Sequence, residues 1–354
     1  MSGAVALDQA RATESVREVH RFDERALAAY LAQHVEGFAG ALTVRQFVGG
    51  QSNPTYYLAA GGREYVLRRK PPGKLLPSAH AVDREYRVIT ALAGTGVPVP
   101  RTYVLCEDPG VIGTVFFVME CVHGRLFTQP WLADIAPAER AARFDAMNDV
   151  LARLHRVDWR AVGLEGFGRP GNYFARQIHR WITQYRASET ERIESMERLI
   201  DWLPAHVPAD DETTVVHGDY RPGNMIVHET EPRVAAVLDW ELSTLGHPLA
   251  DLGYNCIPYH LGSDLDGMAD RDLAALGIPS EKDYLATYCH RVGRDGIEDF
   301  DFYVAFSLFR LAAIAQGIMG RVLAGTASDP NARLRGERAR LMADAAWALI
   351  APRA

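Results

Sequence analysis

Stretches that favour β-strands dominate the first ~125 residues of the chain, and the remainder is mainly helical in pattern. Strands are predicted at Ala41 to Phe47, Thr55 to Leu58 and Glu64 to Arg69, where β-forming residues alternate or cluster. Glycine pairs at 49–50 and 61–62 permit tight turns between these strands. The pattern therefore predicts an antiparallel meander.

A loop, a helix and a buried strand are predicted after the meander. The prolines between Pro71 and Pro77 lack backbone donors, so this segment interrupts the strand ladder. Ala81 to Leu92 is expected to be helical, with Tyr86, Ile89 and Leu92 on one face. The prolines at 98 and 100 indicate extended chain, and Thr114 to Met119 is apolar and suited to a buried strand.

The second part of the chain shows helical apolar stripes, which predict a larger helical lobe behind the first one. We place the boundary between the lobes at residues 120–124, giving an N-terminal lobe of residues 1–122, which includes a helical extension at its start, and a C-terminal lobe of residues 123–354. Two stripes carry the prediction: Phe144, Met147, Leu151 and Leu154, and later Phe302, Phe306 and Phe309.

Composition narrows the class of protein. The net charge of −7 gives no electrostatic footprint for nucleic acid or an acidic membrane surface. The four cysteines are widely spaced without a C-x-x-C pair, so we expect neither a disulfide framework nor a structural zinc cluster. Arg310 interrupts the longest apolar stretch, and the N-terminus lacks the apolar run of a secretory signal. A cytoplasmic protein without a membrane span is the expectation.

Candidate chemistry is concentrated between residues 215 and 241. An apolar strand end leads into His217-Gly218-Asp219, a turn follows, and Asn224 begins another short apolar run. A further apolar run ends at Asp239. Phosphoryl transfer from ATP requires this inventory, namely a carboxylate for the attacking hydroxyl and oxygen ligands for Mg²⁺. The alternative is that these acids simply begin loops, which is common for aspartate.

Two motifs carry a family resemblance, H-G-D-x-x-x-x-N and, after it, V-L-D-W-E. They resemble the aminoglycoside phosphotransferase and choline kinase families. The longer stretch from Phe47 to Tyr254 is similar to phosphotransferase domains related to those fused to acyl-CoA dehydrogenases. This resemblance implies an α+β, protein-kinase-like fold with a small β-rich N-lobe and a larger, mainly helical C-lobe. It also implies that Asp219 is the catalytic base, that Asn224 and Asp239 bind Mg²⁺, and that His217 supports the loop.

The same resemblance implies a nucleotide site in the small lobe. Arg68 stands where many kinases carry lysine, and Glu85 is the candidate partner of its guanidinium, with Asp83 as the competing assignment. Arg69 and Lys70 are expected to point outward or to end the strand. The residues assigned to ATP binding are Gly49, Gly50, Ser52, Asn53, Arg68, Glu85, Glu120 and Val122.

Other residues are assigned less directly. Glu241 either contacts a metal-bound water or pairs with a neighbouring donor, and Asp251 resembles a buried acid that braces the catalytic loop. Tyr173, Gln177, Trp181 and Tyr185 share a helix face that either lines a cleft or packs as core.

The predicted function is transfer of the γ-phosphoryl group of ATP, with Mg²⁺, to the hydroxyl of a small molecule. Aromatic and arginine side chains near the stripe favour an anionic, partly apolar acceptor, such as a hydroxyacyl-CoA or hydroxy acid. The alternative is a catalytically silent nucleotide-binding module that acts through a protein partner. A kinase forms ADP in the presence of its acceptor, whereas the silent module forms no ADP with any acceptor.

Overall fold

An antiparallel six-stranded sheet forms the core of the first lobe. The computed structural model describes residues 12–48, 53–71, 81–327 and 329–351. The sheet has the strand order β1-β2-β3-β4-β6-β5. Its strands are β1 (Thr13–Glu14), β2 (Thr43–Phe47), β3 (Thr55–Ala60), β4 (Arg63–Arg69), β5 (Thr102–Cys106) and β6 (Phe116–Glu120). The predicted meander is confirmed, and β5 is a further strand that was not predicted from the sequence.

Alternating side chains give the sheet two differently covered faces. One face packs its aromatic and aliphatic residues, Tyr56 and Leu67 among them, against Leu27 and Leu31 of helix α1 (Glu24–His34). The other face turns Val66 and Phe117 towards helix α2 (Val82–Leu92) and the second lobe. Helix α2 therefore lies between the sheet and the second lobe.

The second lobe is mainly helical, as predicted. The apolar stripes at residues 144–154 and 302–309 are buried in one continuous core. Helices in this lobe are α3 (Pro137–His155), α4 (Tyr173–Ser188), α5 (Glu194–Ala205), α6 (Pro248–Cys256), α7 (Glu281–Val292), α8 (Phe300–Leu323) and α9 (Ala332–Ile350). On α4, Tyr173 and Tyr185 are buried, so the aromatic stripe packs mainly as core.

Helix α8 is long and apolar enough to cross a membrane by length and composition, with a mean hydropathy of 1.5 in its best window. In the folded chain 67% of that window is buried within the protein. Its apolar residues face α4, α6 and α9. Burial in a helical core accounts for the composition of this helix.

Two short hairpin-like pairs interrupt the helical lobe. Strand β7 (Thr214–Val216) pairs with β10 (Thr244–Gly246), and β8 (Met225–Val227) pairs with β9 (Val234–Val237). The segments that join these strands carry the motifs found in the sequence. An antiparallel sheet lobe followed by a helical lobe confirms the predicted α+β class.

Candidate active site

Asp219 lies in the turn after β7, and its carboxylate accepts hydrogen bonds from three sides. The Tyr254 hydroxyl donates to Oδ1 at 2.5 Å, and Arg221 Nε donates to the same oxygen at 3.1 Å. Asn224 Nδ2 donates to Oδ2 at 2.7 Å. The side chain is 18% exposed, so the carboxylate is held in one orientation and still reaches solvent.

Buried groups hold the backbone of this turn in place. Asp251, which is 1% exposed, accepts hydrogen bonds from the backbone N–H groups of His217 at 2.6 Å and Gly218 at 2.8 Å. Gly218 has φ +83°, and a Cβ there would lie 2.8 Å from the Leu242 carbonyl oxygen. Arg310 donates to the Gly218 carbonyl at 2.7 Å. Asp251 therefore makes the bracing contact that the resemblance implied.

His217 links the Asp219 turn to the strand that precedes Asp239. Its ring Nδ1 lies 3.1 Å from the Asp219 backbone N–H, which must donate to it. The other ring nitrogen, Nε2, therefore carries the proton and donates to the Leu238 carbonyl oxygen at 2.8 Å. The ring is fully buried, which fits a supporting role rather than contact with a ligand.

Asn224 and Asp239 stand at the same end of the β8–β9 pair. Met225 is opposite Val237, and the Leu238 N–H donates to the Asn224 carbonyl at 2.8 Å, so the residues flanking the two side chains are adjacent. The Asn224 amide nitrogen is committed to Asp219, which leaves its amide oxygen for another partner. Asp239 has φ +64°, a left-handed conformation that redirects the chain at the strand end.

Arg68 joins the small lobe to this group. Its guanidinium contacts Glu85 Oε1 at 2.9 Å, Asp239 Oδ1 at 3.2 Å and Glu241 Oε2 at 3.8 Å. Asp83 pairs instead with Lys70 at 3.2 Å. The structure thus selects Glu85 over Asp83, and Glu241 lies beside Arg68.

Arg69 meets one of its two expected placements, because it ends β4, but its side chain does not point outward. It is the last residue of β4, but it is 2% exposed and donates to the carbonyls of Ile112 and His20 at 3.2 Å. Its guanidinium also lies 5.1 Å from the centre of the Phe22 ring. The N-terminal segment covers this end of the strand, which the local sequence of β4 does not reveal.

The acids around Arg68 outnumber its single positive charge. Burial raises the pKa of Glu85 to about 7, against the opposing attraction of Arg68, and repulsion from Asp239 and Glu241 adds to the rise. Such a cluster suits a divalent cation, and the oxygens of Asn224 and Asp239 are hard ligands of the type that Mg²⁺ prefers. The residues present therefore fit a magnesium ion.

A cavity of about 430 Å³ opens between the lobes beside this cluster. Arg68, Glu85 and Asp239 line its polar end, whereas Val66 and Met119 belong to its apolar walls. Glu120 and Val122, both assigned to nucleotide binding, also line the cavity. The Glu120 carboxylate accepts a hydrogen bond from the Arg101 N–H at 3.1 Å.

The predicted phosphate loop is only partly visible. Gly49, Gly50 and Ser52 lie outside the described residues. Asn53 is described and buried, and its Nδ2 lies 3.4 Å from Glu241 Oε2. Asn53 therefore reaches the same cluster of acids as Arg68.

Three residues that contact the Asp219 turn were not singled out from the sequence for this role. Arg221 and Tyr254 lie inside the stretch that carries the family resemblance, so their positions were a usable signal. Arg310 is about 90 residues away along the chain and was noted only as a charge within an apolar helix. Nothing local connects it to Gly218, because the contact depends on how α8 packs.

The raised pKa of Glu85 predicts a pH-dependent stability. Between its ordinary value of 4.5 and about 7 the folded state binds this proton more tightly than the unfolded state, so stability falls as the pH rises through that window. Glu85→Gln should reduce the fall by about 1–3 kcal/mol, measured from urea midpoints at either end of the window. Asp83→Asn is the control, and equal pH dependence in the wild type and Glu85→Gln would refute the assignment.

Comparison with known proteins agrees with this geometry. The sequence profile described as "Phosphotransferase enzyme family" matches residues 43–288. Acyl-CoA dehydrogenase family member 10 of Mus musculus is 47% identical over 339 residues, covering 95% of this chain and 32% of the mouse protein. The chain thus spans about a third of that relative. The similarity between this chain and the mouse protein extends beyond the stretch from Phe47 to Tyr254, on which the family resemblance was based.

Solved structures share the fold. The crystal structure of a candidate aminoglycoside phosphotransferase from Ralstonia eutropha is 53% identical, with a TM-score of 0.87, covering 94% of this chain and 99% of that one. A spectinomycin phosphotransferase solved with ADP and spectinomycin is 12% identical with a TM-score of 0.62, covering 93% and 98% of the two chains. The kinase-like fold is thereby confirmed, and the chain belongs to the phosphotransferase enzyme family.

Proposed function

We propose that this protein is an ATP- and Mg²⁺-dependent kinase that transfers the γ-phosphoryl group to a hydroxyl of a small molecule. The observation that carries the proposal is the convergence of Asp219, Asn224 and Asp239 near the polar end of the cavity between the lobes. The nucleotides named with related structures, ADP and AMP-PNP, support it. A cytoplasmic location remains a prediction.

The cavity suits a nucleotide in both shape and polarity. Its apolar walls offer a site for a base, and Arg68 stands at the end where phosphates would lie. Arginine binds two phosphate oxygens at once, and Glu85 holds this guanidinium in place at 2.9 Å. Arg68 would therefore hold the phosphate chain beside Asp239, which its guanidinium contacts at 3.2 Å.

The amide oxygen of Asn224 and the carboxylate of Asp239 would hold Mg²⁺. When bound, this ion neutralises phosphate charge as the phosphoryl group is transferred. Asn224 also donates to Asp219 at 2.7 Å, so one side chain fixes the base and contributes a ligand. Losing Asn224 would therefore affect both functions.

Asp219 is positioned to accept the proton of the attacking hydroxyl. Tyr254 and Arg221 donate to its Oδ1, and Asn224 donates to its Oδ2. These hydrogen bonds fix the orientation of the carboxylate. Proton acceptance in the transition state needs a carboxylate within hydrogen-bond reach of the hydroxyl. The turn after β7 supplies this carboxylate, and its side chain is 18% exposed, so an acceptor can reach it.

The acceptor is proposed to be anionic and partly apolar, such as a hydroxyacyl-CoA or hydroxy acid. A pocket of about 230 Å³ adjoins the Asp219 turn, with Arg221 and Tyr254 beside Ile257 and Leu311 in its lining. Arg310 lies over the Tyr254 ring at 5.5 Å, which adds positive charge nearby. The acyl-CoA dehydrogenase names of the relatives point to the same class by association only.

The test is ADP release in a coupled assay across hydroxyacyl-CoAs, hydroxy acids, amino alcohols and aminoglycosides. We expect acceptor-dependent ADP formation with one of the anionic classes and loss of that signal when Mg²⁺ is removed. Turnover with aminoglycosides alone would overturn the acceptor class. Binding of ATP without turnover on any acceptor would favour the nucleotide-binding module instead.

Removing the Tyr254 hydroxyl should slow the reaction. Tyr254→Phe deletes one of the donors that orient Asp219, so kcat should fall roughly 3- to 10-fold while the KM for ATP stays nearly constant. Steady-state kinetics measure both constants. Tyr259→Phe is the matched control, because its hydroxyl donates to the Pro279 carbonyl. Unchanged kcat in Tyr254→Phe would contradict the orienting role.

A further inference from the structure

A second group of metal-ligating side chains lies at the outer end of the cavity between the lobes. Glu64, Cys121 and His123 offer a carboxylate oxygen, a thiol sulfur and an imidazole nitrogen, all within 4.8 Å of one another. The closest contact joins His123 Nε2 to Glu64 Oε2 at 2.6 Å. This donor set differs from the oxygen ligands of Asn224 and Asp239, because sulfur and imidazole select zinc-type ions over Mg²⁺.

The sheet brings these ligands together. Glu64, Val66 and Arg68 alternate along β4 and therefore share a face, and Val66 and Arg68 line the central cavity. Glu64 is thus the outermost of the three. Cys121 and His123 alternate in the same way on the chain that leaves β6, and both line the cavity. The paired register of β4 with β6 ends at Tyr65 opposite Glu120, which places the backbone of Glu64 beside that of Cys121.

The side chains can reach a tetrahedral arrangement with small movements. Bonds of about 2.0–2.3 Å to a four-coordinate ion place ligand atoms roughly 3.3–3.8 Å apart. The side chains of Glu64 and His123 are 38% and 62% exposed, so solvent beside them leaves room for a shift of that size. The Tyr57 hydroxyl donates to the other carboxylate oxygen of Glu64, the kind of outer contact that orients a ligating carboxylate.

Cys121 also differs from the other cysteines. No disulfide joins the four cysteines; Cys106, Cys256 and Cys289 are buried, whereas Cys121 is partly exposed. Burial raises the pKa of the Cys256 and Cys289 thiols, which disfavours the thiolate form that binds metals. The cysteine that meets a histidine and a carboxylate is therefore the one that solvent can reach.

We propose that Glu64, Cys121 and His123 bind a transition-metal ion of the zinc class, with a fourth coordination position open to water. Binding replaces the thiol proton of Cys121, which is released to solvent, and breaks the direct contact between His123 and Glu64. The bound ion ties β4 to the segment after β6 at the edge of the cavity. This inference stands apart from the phosphotransfer reaction.

Cobalt is the probe, because its spectrum reports the ligands. Titrating the purified, reduced full chain with Co²⁺ should give one equivalent of binding, with a thiolate-to-cobalt charge-transfer band and the intense visible bands of a four-coordinate ion. Zn²⁺ should displace the cobalt and raise the melting temperature. Mg²⁺ in excess should leave the cobalt bands unchanged, because it does not compete for thiolate and imidazole ligands.

Variants assign the ligands. Cys121→Ser should abolish the charge-transfer band, and Glu64→Gln and His123→Ala should each weaken cobalt binding about 10-fold or more. Cys289→Ser is the thiol control and should bind cobalt as the wild type does. Because Glu64 and His123 are exposed, their variants should fold even if Cys121→Ser does not. Absence of a charge-transfer band in the wild type, or its persistence in Cys121→Ser, would overturn the proposal.

Discussion

Replacing Asp219 by asparagine is expected to lower kcat by at least ~10²-fold while ATP binding persists. The amide cannot accept the hydroxyl proton, and base catalysis of this type contributes about 10²–10⁴-fold. The turn should survive, because Asp251 and Arg310 hold the backbone at His217 and Gly218 rather than at the side chain of Asp219. Initial rates with the acceptor found in the coupled assay, together with calorimetric titration of ATP, measure the two effects separately.

Asp272→Asn is the matched control for this experiment. Asp272 is exposed and caps the backbone N–H of Ala275, so the same change of charge occurs away from the site. Its kcat should equal that of the wild type. Near-normal turnover in Asp219→Asn would remove Asp219 from the role of base, and loss of ATP binding would show that the substitution disturbs the nucleotide site instead.

Replacing Asp251 by alanine is expected to destabilise the protein by about 2–6 kcal/mol. The buried carboxylate accepts from two backbone N–H groups, and each would lose its partner at a cost of about 1–3 kcal/mol. His155 Nε2 lies 3.5 Å from the same carboxylate and would lose its partner too. The shift of the cooperative urea or thermal transition, followed by circular dichroism, measures this loss.

Two further substitutions calibrate the result for Asp251. Asp251→Asn keeps one acceptor oxygen, so its loss of stability should be smaller than that of the alanine variant. Asp201→Ala, on the exposed face of α5, should change stability by no more than about 0.5 kcal/mol. Equal transitions in Asp251→Ala and the wild type would show that the turn is held by other contacts.

The local pattern predicted most of the elements. Alternation located β2, β3 and β4, and the apolar stripes at residues 144–154 and 302–309 located two core helices, because one-sided burial imposes a period of two or of 3.6 on the sequence. Strand β5 was not predicted, since extended chain was expected only around the prolines at 98 and 100 that precede it. Most of its residues are only half-buried, so no clear alternation marks them.

The candidate site was predictable in its chemistry but only partly in its contacts. Asp219, Asn224 and Asp239 were identified because their types and order match what phosphoryl transfer needs. The choice between Glu85 and Asp83 remained open, since both lie in the first turn of one helix. Packing of α2 against the sheet brings Glu85 to Arg68 and leaves Asp83 to Lys70.

The amino-acid sequence by itself predicted the class of fold and named Asn224 and Asp239 as candidate oxygen ligands, because the family resemblance rests on residue types at short spacings. Only the tertiary structure decided that Arg310 holds Gly218, that Tyr254 orients Asp219, and that Glu64 meets Cys121 and His123. These contacts join elements far apart in the chain. The pairing of strands and the packing of helices fix the geometry of these contacts. A local sequence pattern does not show which distant residues will meet.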